Sequence, residues 1–542
     1  MDMNQSDLPL QDQAPADNGP VECLGKTFAN DEERRTYFLG LLAKKLKDPE
    51  FRKIEGFPIG EDEDMLNLSD PPYYTACPNP WIADFIAEWE TKNPEKESGY
   101  HYHREPFAAD VSEGKNDPIY NAHSYHTKVP HKAIMRYILH FTEPGDIVFD
   151  GFAGTGMAGI AAQLCGDRNT LLSMGYQVKP DGTILQQDAE ADKTTWKPIS
   201  KLGARRCILN DLSPAATFIS HNYNTPVDLP SFDKEASKIL EEAERECGWM
   251  YETLHSDGVT SGRINYTVWS DVFICSECTG EVVFWETAVN KDTGKVSYEF
   301  SCPHCRTKLV KRQLECLWMT TYDHSLKKNI EQSKQVPVLI NYSINGEKKS
   351  FNKRLDASDF ECIDKIENSK IPYWYPSNRM IEGKETRRND RVGITHVHHF
   401  YTKRNLWILS KIRDLCNSSQ TLLLFNSQLI NISKLNRYRP GVSYPYNPLS
   451  GTMYIGSQIS ESNVFTAYKN KLKKLKTAFK DISSPSIITT QSLTSPIDVK
   501  ADYIFIDPPF GANLNYSELS SLWEEWLRVK TNNKMEAIEN SA

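Results

Sequence analysis

The fold is decided by residues 147–156, whose sequence is Ile147-Val148-Phe149-Asp150-Gly151-Phe152-Ala153-Gly154-Thr155-Gly156. Its apolar start predicts a short buried strand, and Met157–Cys165 predicts a helix. A glycine-rich turn between the two lets a ligand approach the backbone at the helix N-terminus. A second strand is expected at Cys207–Leu209, followed by Asp211, where an acid can accept hydrogen bonds from a ribose diol. This order predicts half of a parallel α/β unit that holds an adenosyl cofactor; a purely structural turn is the alternative.

A second informative stretch lies near the end of the chain, where Tyr503–Ile506 is followed by Asp507-Pro508-Pro509-Phe510. The apolar run predicts a buried strand that ends in a rigid loop. Each proline fixes its own φ and restricts the residue before it, which holds the Asp507 carboxylate and the Pro508 carbonyl in place. Two fixed acceptors beside an aromatic ring suit the exocyclic amine of a flat heterocycle. A plain turn at the end of a strand is the alternative.

Length and composition indicate two to four soluble globular domains. The chain has 542 residues, of which 39% are hydrophobic and 25% are charged, and its net charge of −9 gives no general nucleic-acid signature. We find no apolar stretch that could span a membrane and no signal peptide. The dispersed cysteines favour a reducing compartment.

Four of the twelve cysteines form a cluster, Cys275-x2-Cys278 and Cys302-x2-Cys305. Two such pairs supply four thiolates, which satisfy a tetrahedral structural Zn²⁺ and leave no open position for catalysis. The segments 282–285 and 296–300 are expected to pair as one hairpin of a zinc ribbon. A redox dithiol pair and an iron–sulfur cluster fit this symmetric spacing less well.

Several stretches together resemble the amino-methylating DNA methyltransferases, and in particular the adenine-specific ones that contain a zinc ribbon. Residues 125–130, 149–156 and 507–510 match motifs X, I and IV of that family, and residues 515–519 with Trp523 and Trp526 add to the likeness. The resemblance implies a Rossmann-like, S-adenosylmethionine-dependent methyltransferase domain with a long insert that carries the zinc ribbon. An Asp at the head of motif IV is more typical of N6-adenine enzymes, whereas Ser is more typical of N4-cytosine enzymes.

The resemblance also implies a role for individual residues. The catalytic loop is Asp507, Pro508, Pro509 and Phe510, and the cofactor contacts are Thr127, Lys128, Asp150, Gly151, Phe152, Ala153, Gly154, Gly156 and Asp211. The implied reaction transfers a methyl group to the N6 amine of an adenine flipped out of duplex DNA, on which Phe510 would stack. The implied setting is the prokaryotic cytoplasm, in restriction–modification or phage defence.

The expected domain organisation has four parts: a mobile or irregular segment (1–75), the cofactor-binding half (76–225), a target-recognition insert with the ribbon at about 270–310 (226–485), and the start of the catalytic half (486–542). A third strand is expected at Ile487–Thr490, with Gln491 where related enzymes often have an acid. Family members continue with more strands after motif IV, so we expect a truncated or split form that finds those strands on a second polypeptide.

Basic segments within the insert are candidates for DNA contacts. One window combines Arg379, Lys384, Arg387, Arg388, Arg391, Lys403 and Arg404; residues 436–440 interleave arginines with a tyrosine; and a helix carries lysines between 469 and 480. A solvated helix face is an equal interpretation of the lysine helix. We assign no ligand role to His396, His398 and His399. The functional alternatives are N4-cytosine, RNA or protein-glutamine methylation, and a DNA-binding subunit without independent activity.

Overall fold

The computed structural model describes residues 19–92, 101–188, 195–291, 293–344, 349–439, 446, 448–479, 486–509 and 514–537. The first part of the chain is mostly helical. Its elements are β1 (Val21–Cys23), β2 (Lys26–Phe28), α1 (Asp31–Leu46), α2 (Pro49–Arg52), α3 (Asp62–Leu68), α4 (Ile82–Lys92), α5 (Pro118–Ala122) and α6 (His131–Phe141).

The expectation of an irregular segment up to residue 75 is wrong for the described residues 19–75. The helix α1 begins after Asn30, whose side chain accepts a hydrogen bond from the Glu33 amide. Phe38, Leu42 and Leu46 recur at every fourth position and are buried, which gives the helix an apolar face. The polar composition of this region belongs to the solvated faces of its helices.

The cofactor half follows the predicted order of strand, turn, helix and strand. Its elements are β3 (Ile147–Asp150), α7 (Met157–Leu164), α8 (Arg168–Ser173), β4 (Gln177–Val178), β5 (Thr183–Asp188), β6 (Thr195–Lys201), β7 (Arg206–Asp211) and α9 (Pro214–Tyr223). The structure confirms the predicted strands at the ends of the unit and the helix between them. It adds an antiparallel sheet, β4-β5-β6, that is not expected from the sequence.

The insert consists of a helical part and an antiparallel sheet. Its elements are α10 (Leu229–Cys247), β8 (Glu252–Leu254), β9 (Ser261–Ile274), β10 (Glu281–Val283), α11 (Phe284–Ala288), β11 (Glu299–Ser301), β12 (Lys308–Val310), β13 (Glu315–Cys316), β14 (Trp318–Asp323), β15 (Lys328–Ser333), β16 (Gln335–Ile344), β17 (Ser350–Lys353), α12 (Ala357–Asn368), α13 (Lys403–Leu415), α14 (Ser419–Asn426), α15 (Leu429–Ile432), β18 (Gln458–Ser462) and α16 (Val464–Ala478). The long strand β9 is the centre of the sheet, since β8, β10, β13, β16 and β18 all pair with it. Short 3-10 helices lie at 248–251, 311–313, 387–392 and 397–400.

Three elements complete the described fold: β19 (Ile487–Thr490), β20 (Tyr503–Ile504) and α17 (Tyr516–Leu527), followed by a 3-10 helix at 533–535. A four-stranded parallel sheet has the order β19-β7-β3-β20. The helix α9 packs on β7 and β19, and α7 packs on β3 and β7. Since the strand order reverses beside β3, a crevice is expected outside the carboxyl ends of β3 and β20.

Among the described residues, the buried apolar side chains form two clusters. The larger one covers the parallel sheet and the helices, and the smaller one lies around the ribbon, where it includes Phe273, Phe284, Trp285 and Phe300. Among the helices of the described residues, none is both long and apolar enough to cross a membrane.

Candidate cofactor pocket and catalytic loop

A cavity of about 310 Å³ lies at the carboxyl ends of β3, β7 and β20. Its volume is within the range of small-molecule sites. Most of the predicted site residues line it: Thr127, Lys128, Asp150, Gly151, Phe152, Ala153, Gly154, Asp211, Asp507 and Pro509. Gly156 and Pro508 do not line it, and Phe510 lies outside the described residues. The structure therefore brings the glycine-rich turn and the Asp-Pro-Pro loop, which are more than 350 residues apart in sequence, to one cavity.

The glycine-rich turn depends on two left-handed residues. Gly154 has φ +50° and Gly156 has φ +74°, a region that disfavours side chains. Gly156 also lies against α9: a Cβ there would be 2.2 Å from Ser220 Oγ and 2.6 Å from Asn224 Nδ2. Gly154 therefore shapes the pocket wall, whereas Gly156 permits α7 to begin next to α9.

Asp211 closes the turn from the end of β7. Its carboxylate accepts hydrogen bonds from the amides of Gly154, at 2.8 Å, and Ser213, at 2.9 Å. Burial raises the pKa of Asp211 to about 6, and these amide donors oppose the shift. The Asp211 side chain, which is the expected partner of a ribose diol, thus also fixes the shape of the turn.

Asp150 is the most buried acid of the pocket, with 5% of its surface exposed. It accepts a hydrogen bond from the Phe152 amide at 3.1 Å. Burial, together with the charges of Asp211 and Asp507, raises its pKa to about 8. A cationic ligand would stabilise the ionised form of this carboxyl group.

The pocket carries more acid than base. Asp150, Asp211, Asp507 and Glu536 line it, whereas Lys128 is its only lysine or arginine among the described residues. The Lys128 ammonium points away, since it donates to the Tyr120 carbonyl and, at 2.7 Å, to the His123 carbonyl. Burial lowers the pKa of Lys128 to about 8. This electrostatic environment favours a ligand with positive charge.

Gln491, which stands where related enzymes often have an acid, lines the pocket as well. Lining residues that are not among the expected ones include Tyr516, Thr531, Met535 and Glu536. Tyr516 joins the two halves of the pocket, because its hydroxyl lies 3.0 Å from Thr127 Oγ1. It belongs to the stretch that carries the family resemblance, so sequence alone offered a signal for it. Glu536 offered none, since it lies in a polar segment without periodicity.

The strand before the Asp-Pro-Pro loop is shorter and more exposed than predicted. Only Tyr503–Ile504 pairs with β3, and Ile504 and Ile506 are 59% and 49% exposed. The expected buried strand is wrong because β20 is an edge strand among the described residues, with β3 on one side only. Asp507 is exposed at the pocket rim, and no described residue donates a hydrogen bond to its carboxylate.

The helix α17 supports the loop from behind. Every side chain from Ser517 to Leu527 is buried, including three glutamates that each need a partner. Glu518 accepts hydrogen bonds from the amide and hydroxyl of Thr386, at 2.8 and 3.1 Å. Glu524 accepts one from Ser213 Oγ at 2.7 Å, which connects α17 to the end of β7. These bonds fix the helix that follows the Asp-Pro-Pro loop against both the insert and the cofactor half.

The four clustered cysteines converge as predicted. Their Sγ atoms all lie within 4.8 Å of one another, and Cys275–Cys305 and Cys278–Cys302 are both 3.7 Å apart. Four sulfurs at about 2.3 Å from a tetrahedral Zn²⁺ would be about 3.8 Å apart, so the set fits this ion. We find that the four-cysteine cluster is compatible with a zinc ribbon.

Both knuckles have the same backbone geometry. The residue after the second cysteine is left-handed in each, Thr279 at φ 56° and Arg306 at φ 63°. Its amide donates to the carbonyl of the first cysteine at 3.0 Å in both cases. The Thr307 hydroxyl and amide lower the pKa of Cys305 to about 6, which favours the thiolate.

The predicted pairing of 282–285 with 296–300 is wrong. Strand β10 pairs with β9, and β11 pairs with β12, so each knuckle has its own hairpin. Residues 284–288 form the helix α11 between them, and Val289 and Val296 make one isolated bridge. Each cysteine pair fixes a turn between adjacent strands, which favours local pairing.

A second cluster joins Asp323 to His398 and His399. Asp323 Oδ2 lies 2.7 Å from His398 Nε2 and 3.0 Å from His399 Nε2. The Thr395 amide donates to His399 Nδ1 at 3.3 Å, which places the proton of a neutral ring on Nε2. Asp323, His398 and His399 therefore connect the hairpin β14–β15 to the 3-10 helix at 397–400 through hydrogen bonds. A metal ion bound to His399 Nε2 would have to displace the proton on that nitrogen.

The basic segments differ in their partners. Lys469 and Lys476 of α16 form ion pairs with Glu244 and Asp233 of α10, and Lys471 is buried. These contacts favour a packed helix with a solvated face over a DNA-binding surface. Two residues of the basic segments, Pro440 and Lys480, lie outside the described residues. Several arginines of the 379–404 window are also paired: Arg379 with Asp390, Arg388 with Glu385 and Arg404 with Glu461. Exposed positions that retain a DNA-binding interpretation are Lys384, Arg391 and Arg439.

Part of the chain matches the model of a known protein family. Residues 34–181 match the model of a family described as DNA methylase, one that includes both N6 and N4 methyltransferases. The matched range contains the helix α6, the glycine-rich turn and most of the residues before β7. No curated protein and no solved structure matches the chain. The family match supports a DNA methyltransferase and does not distinguish adenine from cytosine.

Proposed function

We propose that the chain is an S-adenosylmethionine-dependent DNA methyltransferase that modifies the N6 amine of adenine. One observation carries the proposal: Asp150 and Asp507, at the ends of the paired strands β3 and β20, line one cavity. The glycine-rich turn and the Asp-Pro-Pro loop thus lie together at the reversal point of a parallel sheet, as a cofactor site next to an amine-accepting loop would require. The strand order β19-β7-β3-β20 supports a Rossmann-like domain for this chain.

The polar side chains that line the pocket fit S-adenosylmethionine. Asp211 can accept from a ribose diol, Asp150 from an ammonium group directly or through water, and the acid excess suits a cation. S-adenosylmethionine, when bound, supplies an electrophilic methyl group. Lys128 contributes its alkyl chain to the wall, since its ammonium donates to carbonyls outside the pocket.

The catalytic contribution of the chain is to orient the amine. Asp507 and the Pro508 carbonyl would accept its two hydrogens, which frees the nitrogen lone pair from the ring and directs it toward the pocket. Fixing the amine in this position supplies much of the acceleration. The exposed position of Asp507 suits an adenine that enters from outside after flipping out of the duplex, and Phe510 is proposed to stack on it. Asp507 at the head of the loop favours adenine; N4-cytosine is the alternative.

The insert at 226–485 is proposed to recognise the DNA target, with the four-cysteine cluster holding a structural Zn²⁺. A second candidate function is a subunit that acts with another polypeptide. The edge position of β20 favours it: β20 has a neighbour on one side only among the described strands, so a further strand could pair with its open edge. The comparisons give this second polypeptide no support.

Methyl transfer by the purified full chain tests the proposal. Duplex DNA is incubated with radiolabelled S-adenosylmethionine, and its nucleosides are separated after digestion. We expect label in N6-methyladenine for the wild type and background label for Asp507→Ala. Label in N4-methylcytosine would correct the base assignment. No label in DNA, together with no binding of the cofactor, would overturn the proposal.

A further inference from the structure

The segment after α17 returns to the pocket and is held there. Lys530 and Ile59 exchange backbone hydrogen bonds at 2.8 and 2.9 Å. The Thr531 amide donates to Glu524 at 2.8 Å, and Asn532 Nδ2 donates to the Phe57 carbonyl at 3.4 Å. These contacts place the 3-10 helix at 533–535, and with it Glu536, at the wall of the cavity.

Glu536 is oriented by the first turn of α17. Its Oε1 accepts a hydrogen bond from the Ser517 amide at 2.9 Å, and its Oε2 accepts one from Ser517 Oγ at 2.5 Å. The Asn515 side chain does not cap this helix, so Glu536 satisfies an amide at the helix N-terminus. The carboxylate is therefore fixed, half-buried and at the pocket wall.

Glu536 lines the same cavity as Asp150 and Asp211. Burial raises the pKa of Asp211, and the negative charge of Glu536 adds to that shift. In the described part of the chain, no lysine or arginine forms an ion pair with Asp150, Asp211 or Glu536. Burial raises the pKa of Glu536, and the hydrogen bonds from Ser517 oppose this shift.

We propose that Glu536 makes the pocket select the cationic methyl donor over its neutral, demethylated product. This inference rests on the proposed function. S-adenosylmethionine and S-adenosylhomocysteine share adenine, ribose, ammonium and carboxylate groups, and they differ in one methyl group and one positive charge at sulfur. A carboxylate that acts on that charge discriminates the two, whereas contacts to the shared groups do not. The consequence is easier release of product.

Calorimetric titration of the full chain at pH 8 with each ligand tests the inference. The measured quantity is the ratio of the two dissociation constants, product over donor. We expect Glu536→Gln to lower this ratio about three- to tenfold, as expected for one partly screened charge. The Gln side chain retains an oxygen that accepts from Ser517. Glu299→Gln, on the exposed face of β11, is the matched control and should leave the ratio unchanged.

A second variant separates charge from structure. Ser517→Ala removes the hydroxyl donor but keeps the Glu536 charge, so the ratio should stay within about twofold of the wild type even if the melting temperature falls. Equal weakening of both ligands by Glu536→Gln, or no change in the ratio, would overturn the inference while leaving the proposed function intact. If the wild type binds neither ligand, the proposed function fails and this inference fails with it.

Discussion

Asp150 and Asp507 lie at the ends of two paired strands of one sheet, yet their surroundings differ. Asp150 is the last residue of β3, which has a strand on each side; the residue is 5% exposed, and the pKa of its carboxyl group is raised to about 8. Asp507 follows β20, which has a neighbour on one side only among the described strands, and it is exposed. Position in the sheet thus decides whether a carboxylate at a strand end is enclosed or open.

This difference suggests a division of work. An enclosed acid incurs a large desolvation penalty when ionised, so it is suited to a cation that stays bound through the reaction. An open acid needs no such ligand and can meet a substrate that arrives from solution. Substitution at either aspartate tests this division directly.

Asp507→Asn should lower the rate of methyl transfer to DNA about a hundred- to thousandfold, the loss typical of a group that stabilises the transition state. Cofactor affinity should stay within about twofold, because Asp507 lies at the rim. Single-turnover transfer measures the rate, and calorimetry measures the cofactor affinity. A parallel loss of cofactor binding would show that the rim and the interior are not independent.

Asp150→Asn should weaken binding of S-adenosylmethionine about ten- to a hundredfold, the range for losing a hydrogen bond to a charged group. The matched control is Asp181→Asn, on an exposed turn between β4 and β5, which should bind as the wild type does. Calorimetry measures both. Unchanged affinity in Asp150→Asn would remove Asp150 from the ligand's partners.

The affinity of the wild type for the cofactor should rise with pH up to about 8 and then level off. Below that pH the Asp150 carboxyl group holds a proton that must leave when the cation binds, which limits the slope to about tenfold per pH unit. The ligand's own amine titrates equally with every variant. The difference between wild type and Asp150→Asn therefore isolates Asp150, and identical profiles would contradict its ionisation on binding.

Replacing Cys278 and Cys305 by Ser should remove one zinc per chain and change cofactor affinity by less than about twofold. The ribbon has its own apolar cluster, separate from that of the parallel sheet. Elemental analysis and calorimetry on the same sample measure the two quantities. A large loss of cofactor affinity would mean that the ribbon supports the pocket as well as its own fold.

The sequence predicts correctly those parts of the fold that depend on residues close together in the chain. The turn at residues 150–156 and the two cysteine pairs specify their geometry through glycine and ligand spacing, and the structure has both. The predictions are wrong where the burial or the pairing of a strand depends on its position in the folded sheet. Tyr503–Ile506 has the composition of a buried strand but lies at an edge, and Val282 pairs with β9 rather than with residues 296–300.

Glu536 could not be found from the sequence for a related reason. Its place in the pocket depends on the pairing of Lys530 with Ile59, residues from opposite ends of the chain. A polar segment without apolar periodicity gives no indication of such a contact. The same holds for the contact of Tyr516, whose hydroxyl meets Thr127 only after α17 has packed.

The helix α17 also limits how this sequence can vary. A helix turns by about 100° per residue, so inserting or deleting one residue within it would rotate everything downstream by that angle. Glu518 and Glu524 would then no longer face Thr386 and Ser213 together, and one carboxylate would be left buried without donors. Length changes should therefore be excluded within residues 516–527.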